Sequence, residues 1–161
     1  MIASVSDQKK FVNKRVVELT TALQVPTKSK TATIHALSIG NPHAVLLVND
    51  IETAAVDTLG QEISVHPLFP EQTNVGFMQI INPHHIKLRV YERGCGETHA
   101  CGSGAVAAAA VGRLHHHLEK KITVSLPGGD LLVHWPELHE SITLTGPAVF
   151  VYEGTLFSEN K

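Results

Sequence analysis

A glycine-rich loop, Gly94-Cys95-Gly96-Glu97-Thr98-His99-Ala100-Cys101-Gly102-Ser103-Gly104, runs without a break into Ala105–Leu114, and this junction constrains the fold more than any other part of the chain. From Val106 to Ala110 no side chain is polar. A helix over these residues, starting at or near Gly102, has no face that water would favour, so it must be packed on every side. A sheet wrapped around it would supply the neighbours.

The rest of the sequence provides such a sheet. Aromatic residues make up only 5%. Short β-branched or aliphatic runs bounded by Pro, Gly or Asn predict strands over Lys14–Leu19, Thr33–Ile39 and Ala44–Val48, with Val25–Lys30 as a loop. Ile51–Val65 follows helical spacing, with Asp50 or Thr53 as its cap and Pro67 and Pro70 ending it. Val75–Ile81 and Ile86–Glu92 flank Asn82-Pro83-His84-His85 as a hairpin. Ile122–Leu126, the turn Pro127-Gly128-Gly129-Asp130, Leu131–Trp135, Ser141–Leu144 and Ala148–Tyr152 read as a further antiparallel set. The expected fold class is α+β: antiparallel β-strands wrapped around a central buried helix.

A chain of 161 residues fits one domain with its own core. Its net charge of -2 offers no basic field to nucleic acid. No 18-residue apolar run is present to span a membrane, and Met1–Lys10 lacks the charged-then-apolar order of a secretory signal, so a cytoplasmic protein is expected. Cys95 and Cys101 are too few for a disulfide scaffold and are expected to be free thiols. The eleven histidines are spread from His35 to His139. The run His115-His116-His117 points in different directions on a helix and reads as a solvated helix end, so no metal is expected.

The loop is where chemistry concentrates. Glycines at a helix start leave backbone N–H groups free to bind an anion, and Gly102, Ser103 and Gly104 would present them to a carboxylate or phosphate. Cys101 stands at the same helix end, where the dipole is expected to lower a thiol toward neutrality. A tight turn that lets strand and helix pack closely is the plainer reading of the same glycines. A Walker-type phosphate loop is excluded, since no lysine lies between Lys87 and Lys120. Dinucleotide binding is excluded because His99 stands where the third glycine belongs.

Several segments in order resemble the diaminopimelate epimerase family, cofactor-independent racemases that invert one α-carbon of diaminopimelate. They are Gly40-Asn41-Pro42-His43-Ala44-Val45, Phe69-Pro70-Glu71-Gln72-Thr73-Asn74-Val75-Gly76-Phe77, Arg89-Val90-Tyr91-Glu92-Arg93-Gly94, Gly96-Glu97-Thr98, Ala100-Cys101-Gly102-Ser103-Gly104-Ala105 and Leu126-Pro127-Gly128-Gly129. The resemblance runs from roughly Ile34 to the C-terminus. It implies an enzyme about twice this long, with two similar domains that each place one catalytic cysteine in a shared cleft. These residues correspond to the second domain (1–146) and a final strand (147–161) that in the family crosses to the first.

By resemblance Cys101 is one of two catalytic thiols, with His43 and Glu92 as supporting acid–base groups. Asn41, Asn74, Glu92, Arg93, Gly102 and Ser103 are the substrate contacts, and no cofactor is needed. Cys95 lies in the same loop as Cys101 and cannot serve the opposite face of the substrate. The diaminopimelate site would therefore need the absent first domain, and the chain alone is expected to be inactive and to form a homodimer. Two alternatives stand beside this one: a related racemase, of the proline racemase or phenazine-isomerase kind, and a non-catalytic half-domain that dimerises or binds a partner.

Overall fold

The structure, a computed structural model, describes residues 8–14, 18–28 and 31–155. Chain order is β1 (Gln8–Lys14), β2 (Glu18–Pro26), β3 (Thr31–Ser38), β4 (Pro42–Leu47), α1 (Val56–Ser64), β5 (Asn74–Asn82), β6 (His85–Glu92), β7 (Gly96–Thr98), α2 (Gly102–His115), β8 (Lys121–Leu126), β9 (Gly129–His134) and β10 (Ile142–Pro147). The strands form one sheet in the order β1-β10-β9-β8-β6-β5-β4-β3-β2, with β7 paired to β6. The sheet's two end strands, β1 and β2, are neighbours in the chain. The four residue steps from Lys14 to Glu18 span at most about 14 Å, so the two edges come close at one end and the sheet curls around α2.

The α+β class with strands around a buried helix is what is observed, and two of the strand junctions are parallel. β4 pairs with β5 in parallel, and so does β6 with β8. Parallel neighbours need a crossover, and α1 and α2 are those crossovers. Local alternation of side chains carries no information about strand direction, which is why an antiparallel set was expected throughout.

Period-two alternation sends side chains to two separate cores. On β4, Val45 faces the inner cluster around α2, while Ala44 and Leu46 face an outer cluster around α1. Met78 on β5, Leu88 and Val90 on β6, Val124 on β8 and Val133 on β9 join Ala105–Val111 inside. Val75 and Phe77 join Val56, Leu59 and Ile63 outside. Each fully buried Phe or Ile contributes about 1.5–3 kcal/mol relative to exposure.

Three local expectations are corrected. The helix expected from Ile51 starts at Val56, with Ala55 as an N-cap that makes no side-chain bond. Asp50 instead closes a turn ahead of it, accepting from the Glu52 N–H (3.1 Å) and the Thr53 hydroxyl (3.0 Å). The loop expected at Val25 is still strand: Val25 is buried in the outer cluster and β2 runs to Pro26. Proline is tolerated there because β2 is an edge strand. Finally, residues 148–155 form no strand, and Val149, Phe150, Val151 and Tyr152 are each at least 75% exposed. Of the strand expected over Lys14–Leu19, Lys14 ends β1 and Glu18 begins β2; residues 15–17 lie outside the described residues, as do 156–161. Among the described residues no helix is long and apolar enough to cross a membrane.

Candidate functional site

The site residues gather at one end of the curled sheet. His43 near the start of β4 and Asn74 at the start of β5 are register partners across the parallel pair. β6 runs antiparallel to β5, so its last residue, Glu92, and the following Arg93 arrive at the same end. α2 points its N-terminus there, with Cys101 as N-cap in an extended conformation (φ -139°, ψ 102°). Thus the parallel junction, invisible in local sequence, is what sets His43 beside Asn74.

Hydrogen bonds tie these side chains together. His43 Nε2 lies 3.3 Å from Asn41 Oδ1, Asn41 Nδ2 donates to Ser103 Oγ (3.5 Å), and Ser103 Oγ lies 3.5 Å from Cys101 Sγ. The Gly104 N–H donates to Cys101 Sγ at 3.3 Å. Asn74 Oδ1 accepts from the Arg93 N–H (3.0 Å), and Arg93 Nη1 donates to the Glu71 carbonyl (3.0 Å). His43, Asn74 and Cys101 are buried, Asn41, Glu92, Gly102 and Ser103 are half-buried, and Arg93, His99 and Ala100 are exposed. The site is therefore a mouth, floored by buried groups and open above them.

Two neighbours hold the frame. Arg89 binds Glu97 of β7 through both carboxylate oxygens (2.6 and 2.7 Å) and donates through Nη1 to the Ile51 carbonyl (3.0 Å), tying β6, β7 and the segment before α1. The Gly128 N–H donates to the His99 carbonyl at 2.7 Å, bracing the loop just before Cys101.

The expectation of a lowered Cys101 thiol is corrected. Burial pushes the thiol up; hydrogen bonds from Ser103 and the Gly104 N–H oppose this, and the neighbouring Glu92 carboxylate pushes it up again. The dipole argument holds for a thiol that keeps its water, whereas Cys101 is only 6% exposed. Cys95, at the exposed β6–β7 turn, is the other free cysteine. The expected order of alkylation at neutral pH is thus Cys95 first, the reverse of the helix-dipole expectation.

Sequence reasoning missed Thr98 as an individual residue. Its hydroxyl donates to Glu92 Oε1 at 2.5 Å. The hairpin register pairs Glu92 with Gly96 and Val90 with Thr98, so Thr98 is the diagonal neighbour of Glu92 on one face. Gly94 and Gly96 take positive φ (77° and 85°), a conformation that side chains disfavour, and Gly96 leaves nothing between the two side chains. The spacing Glu-x-x-x-Gly-x-Thr carried that signal.

The histidine run is also corrected. His117 is exposed, but the His115 ring stacks on His35 of β3 (4.3 Å between centroids) and His116 meets His35 edge-on (5.6 Å). Among the described residues no three His, Cys, Asp or Glu side chains gather as metal ligands. A groove of about 750 Å³ lined by Pro26, Lys28, Thr58, Gln61 and Glu62 lies against α1 on the outer side and contains none of the site residues.

Similarity to known proteins identifies the family. The family profile described as Diaminopimelate epimerase matches residues 35–151. A diaminopimelate epimerase of Legionella pneumophila (strain Paris) is 70% identical over 128 residues, 80% of this chain and 46% of that protein. One from Alkalilimnicola ehrlichii is 50% identical over 133 residues, 83% of this chain and 48% of that protein. Among solved structures, a hydroxyproline epimerase from Agrobacterium vitis shares the fold with a TM-score of 0.59 at 16% identity, over 91% of this chain and 51% of that one. The chain spans about half the length of the curated relatives it matches, and over that half its profile match and its 70% identity leave one conclusion: it belongs to the diaminopimelate epimerase family.

Proposed function

We propose that this chain supplies one half of a two-thiol site that interconverts LL- and meso-diaminopimelate without a cofactor, serving lysine biosynthesis in the cytoplasm. The observation that carries the reading is a single buried thiol at the N-terminus of α2, hydrogen-bonded to Ser103 and the Gly104 N–H and flanked by Glu92. Inverting a carbon needs one group to remove a proton and a second to return one on the opposite face. A thiolate on one side takes the α-proton and becomes a thiol, while a thiol on the other side gives its proton and becomes a thiolate. Catalytic power then depends on stabilising the carbanion as it forms, and N–H groups at Gly102 and Ser103 would do this through the substrate carboxylate.

Asn41, Asn74, Glu92 and Arg93 are the remaining substrate contacts in this reading, with Arg93 holding a carboxylate in bidentate fashion. His43 and Glu92 adjust the protonation of the thiols. Burial and Glu92 favour the protonated form of Cys101, the form that returns a proton to one face; for the opposite enantiomer its thiolate takes the α-proton and the two thiols exchange roles. Cys95 sits on the same side as Cys101, so the opposing thiol comes from another domain, and the isolated chain is inactive.

In this reading residues 148–155, which leave β10 and form no strand of their own, reach toward that domain, consistent with the exposure of Val149–Tyr152. Without it, the chain covers its mouth by forming a homodimer, detectable by light scattering at micromolar concentration. The test of function is epimerisation of LL-diaminopimelate by the chain alone and mixed with a separately made first half of the Legionella pneumophila relative. Turnover confined to the mixture is expected. No turnover by a mixture shown to associate contradicts the reading.

A further inference from the structure

Glu92 has two carboxyl oxygens at the mouth, and one of them, Oε1, is engaged by the Thr98 hydroxyl at 2.5 Å. Thr98 lies on β7, a three-residue strand paired to β6 and tied by the Arg89–Glu97 ion pair one residue away. Nothing else in this strand has a side chain that reaches Glu92: Gly96, directly opposite, has none, and Glu97 is turned to Arg89. The carboxyl group of a glutamate at a strand end is otherwise free to rotate about three bonds.

We propose that Thr98 is a positioning residue for the acid–base chemistry at Cys101, its hydroxyl fixing the Glu92 carboxyl in the orientation that meets the thiol. The inference rests on the reading of Cys101 as the acid–base group of the site. Val90, Glu92 and Thr98 share one face of the β6–β7 pair, and Val90 and Cys101 Sγ both lie beside Gly104, so a hydrogen bond donated to Oε1 holds the Glu92 carboxyl on the thiol's side of the sheet. The upward push that Glu92 exerts on the Cys101 thiol agrees with this arrangement. Released from Thr98, the carboxyl turns away, the thiol loses its acceptor, and the thiolate forms more readily.

The test uses the whole chain and needs no substrate. The pH midpoint of Cys101 alkylation by iodoacetamide is followed by peptide mass mapping, with Cys95 as internal reference; limited access slows the rate at every pH and leaves the midpoint in place. Thr98→Val should lower the Cys101 midpoint, seen as a roughly threefold faster reaction at pH 8, and leave Cys95 unchanged. Thr98→Ser should restore the original profile. Glu92→Gln should lower the midpoint as well, and adding Thr98→Val to it should bring no further change.

Circular dichroism checks each fold, and Thr98→Ala replaces the valine variant if that one is unfolded. An unchanged midpoint in the folded Thr98 variant overturns the proposal, as does a full additional shift in the Glu92→Gln background. Because ionisation is read without turnover, failure here is distinct from failure of the epimerase reading, which the mixing experiment judges.

Discussion

Both α1 and α2 connect parallel strands and both press on β6, α1 at Tyr91 from outside and α2 at Val90 from inside. α1 buries a stripe of Val56, Leu59, Gly60, Ile63 and Ser64 and shows Asp57, Thr58 and Gln61 to water. α2 buries every residue from Gly104 to Gly112. A helix that covers a sheet from outside needs one apolar face, whereas a helix enclosed by a sheet needs apolar residues at every position and small ones where strands come close. Enclosure also decides which helix can carry chemistry. The unpaired N–H groups of α2 open into the mouth behind a cysteine N-cap, while α1 begins at Ala55 with no side-chain cap.

The contrast breaks most decisively with a charge. Ala108 is fully buried within α2, and Ala108→Asp should cost at least about 3 kcal/mol by leaving an unpaired carboxylate in the core. Gln61→Asp, on the exposed face of α1, should stay within about 0.5 kcal/mol. Urea denaturation of the two variants measures both. Equal effects would mean that α2 is not enclosed.

A smaller effect separates the helices at their contacts with β6. A Cβ on Gly60 would lie 2.6 Å from Tyr91 Cβ, an atom anchored to the backbone, whereas one on Gly104 would lie 3.0 Å from a Val90 methyl and 3.2 Å from Cys101 Sγ. Gly60→Ala should therefore lose about 1–2 kcal/mol net, overpacking outweighing the helix propensity gained. Gly104→Ala should be nearly neutral in stability, because the methyl can give way, yet it should shift the Cys101 alkylation profile by displacing the sulfur.

The smallest effect comes from the far end of α2. Burial, followed by the charge of His115, holds His35 and His116 below the ordinary histidine value; His116 also feels His117. The unfolded chain then binds more protons below about pH 6.5, so this contribution to stability is complete above that pH and declines as the pH falls through it. His35→Phe, which keeps the ring contact, should flatten the decline seen in urea midpoints between pH 7 and pH 5. An undiminished slope would place its origin elsewhere.

Much of this was legible before any coordinates. Ala105–Val111 announced an enclosed helix because no other environment accepts seven successive small apolar residues, and the motifs around Asn41, Asn74, Glu92 and Cys101 marked the residues of the mouth. What was hidden depends on distant partners. Parallel pairing of β4 with β5 joins segments separated by α1, and no local pattern reports it. The ionisation of Cys101 was misjudged because the helix end was visible in the sequence, while the desolvation and the Glu92 carboxylate that oppose it arise only in the folded mouth. The Ala148–Tyr152 run has strand composition but no strand in this chain to pair with among the described residues.

The most direct measurement of the central claim, that this chain contributes one thiol to one face of the substrate, is deuterium incorporation at the α-carbon of LL-diaminopimelate in D2O, followed by proton NMR. The chain mixed with the first half of the Legionella pneumophila relative should yield meso product carrying solvent deuterium. Neither half alone should do so, and Cys101→Ala should abolish the product from the mixture while Cys95→Ser leaves it intact. Undiminished deuterated meso product with Cys101→Ala in the mixture would contradict the claim.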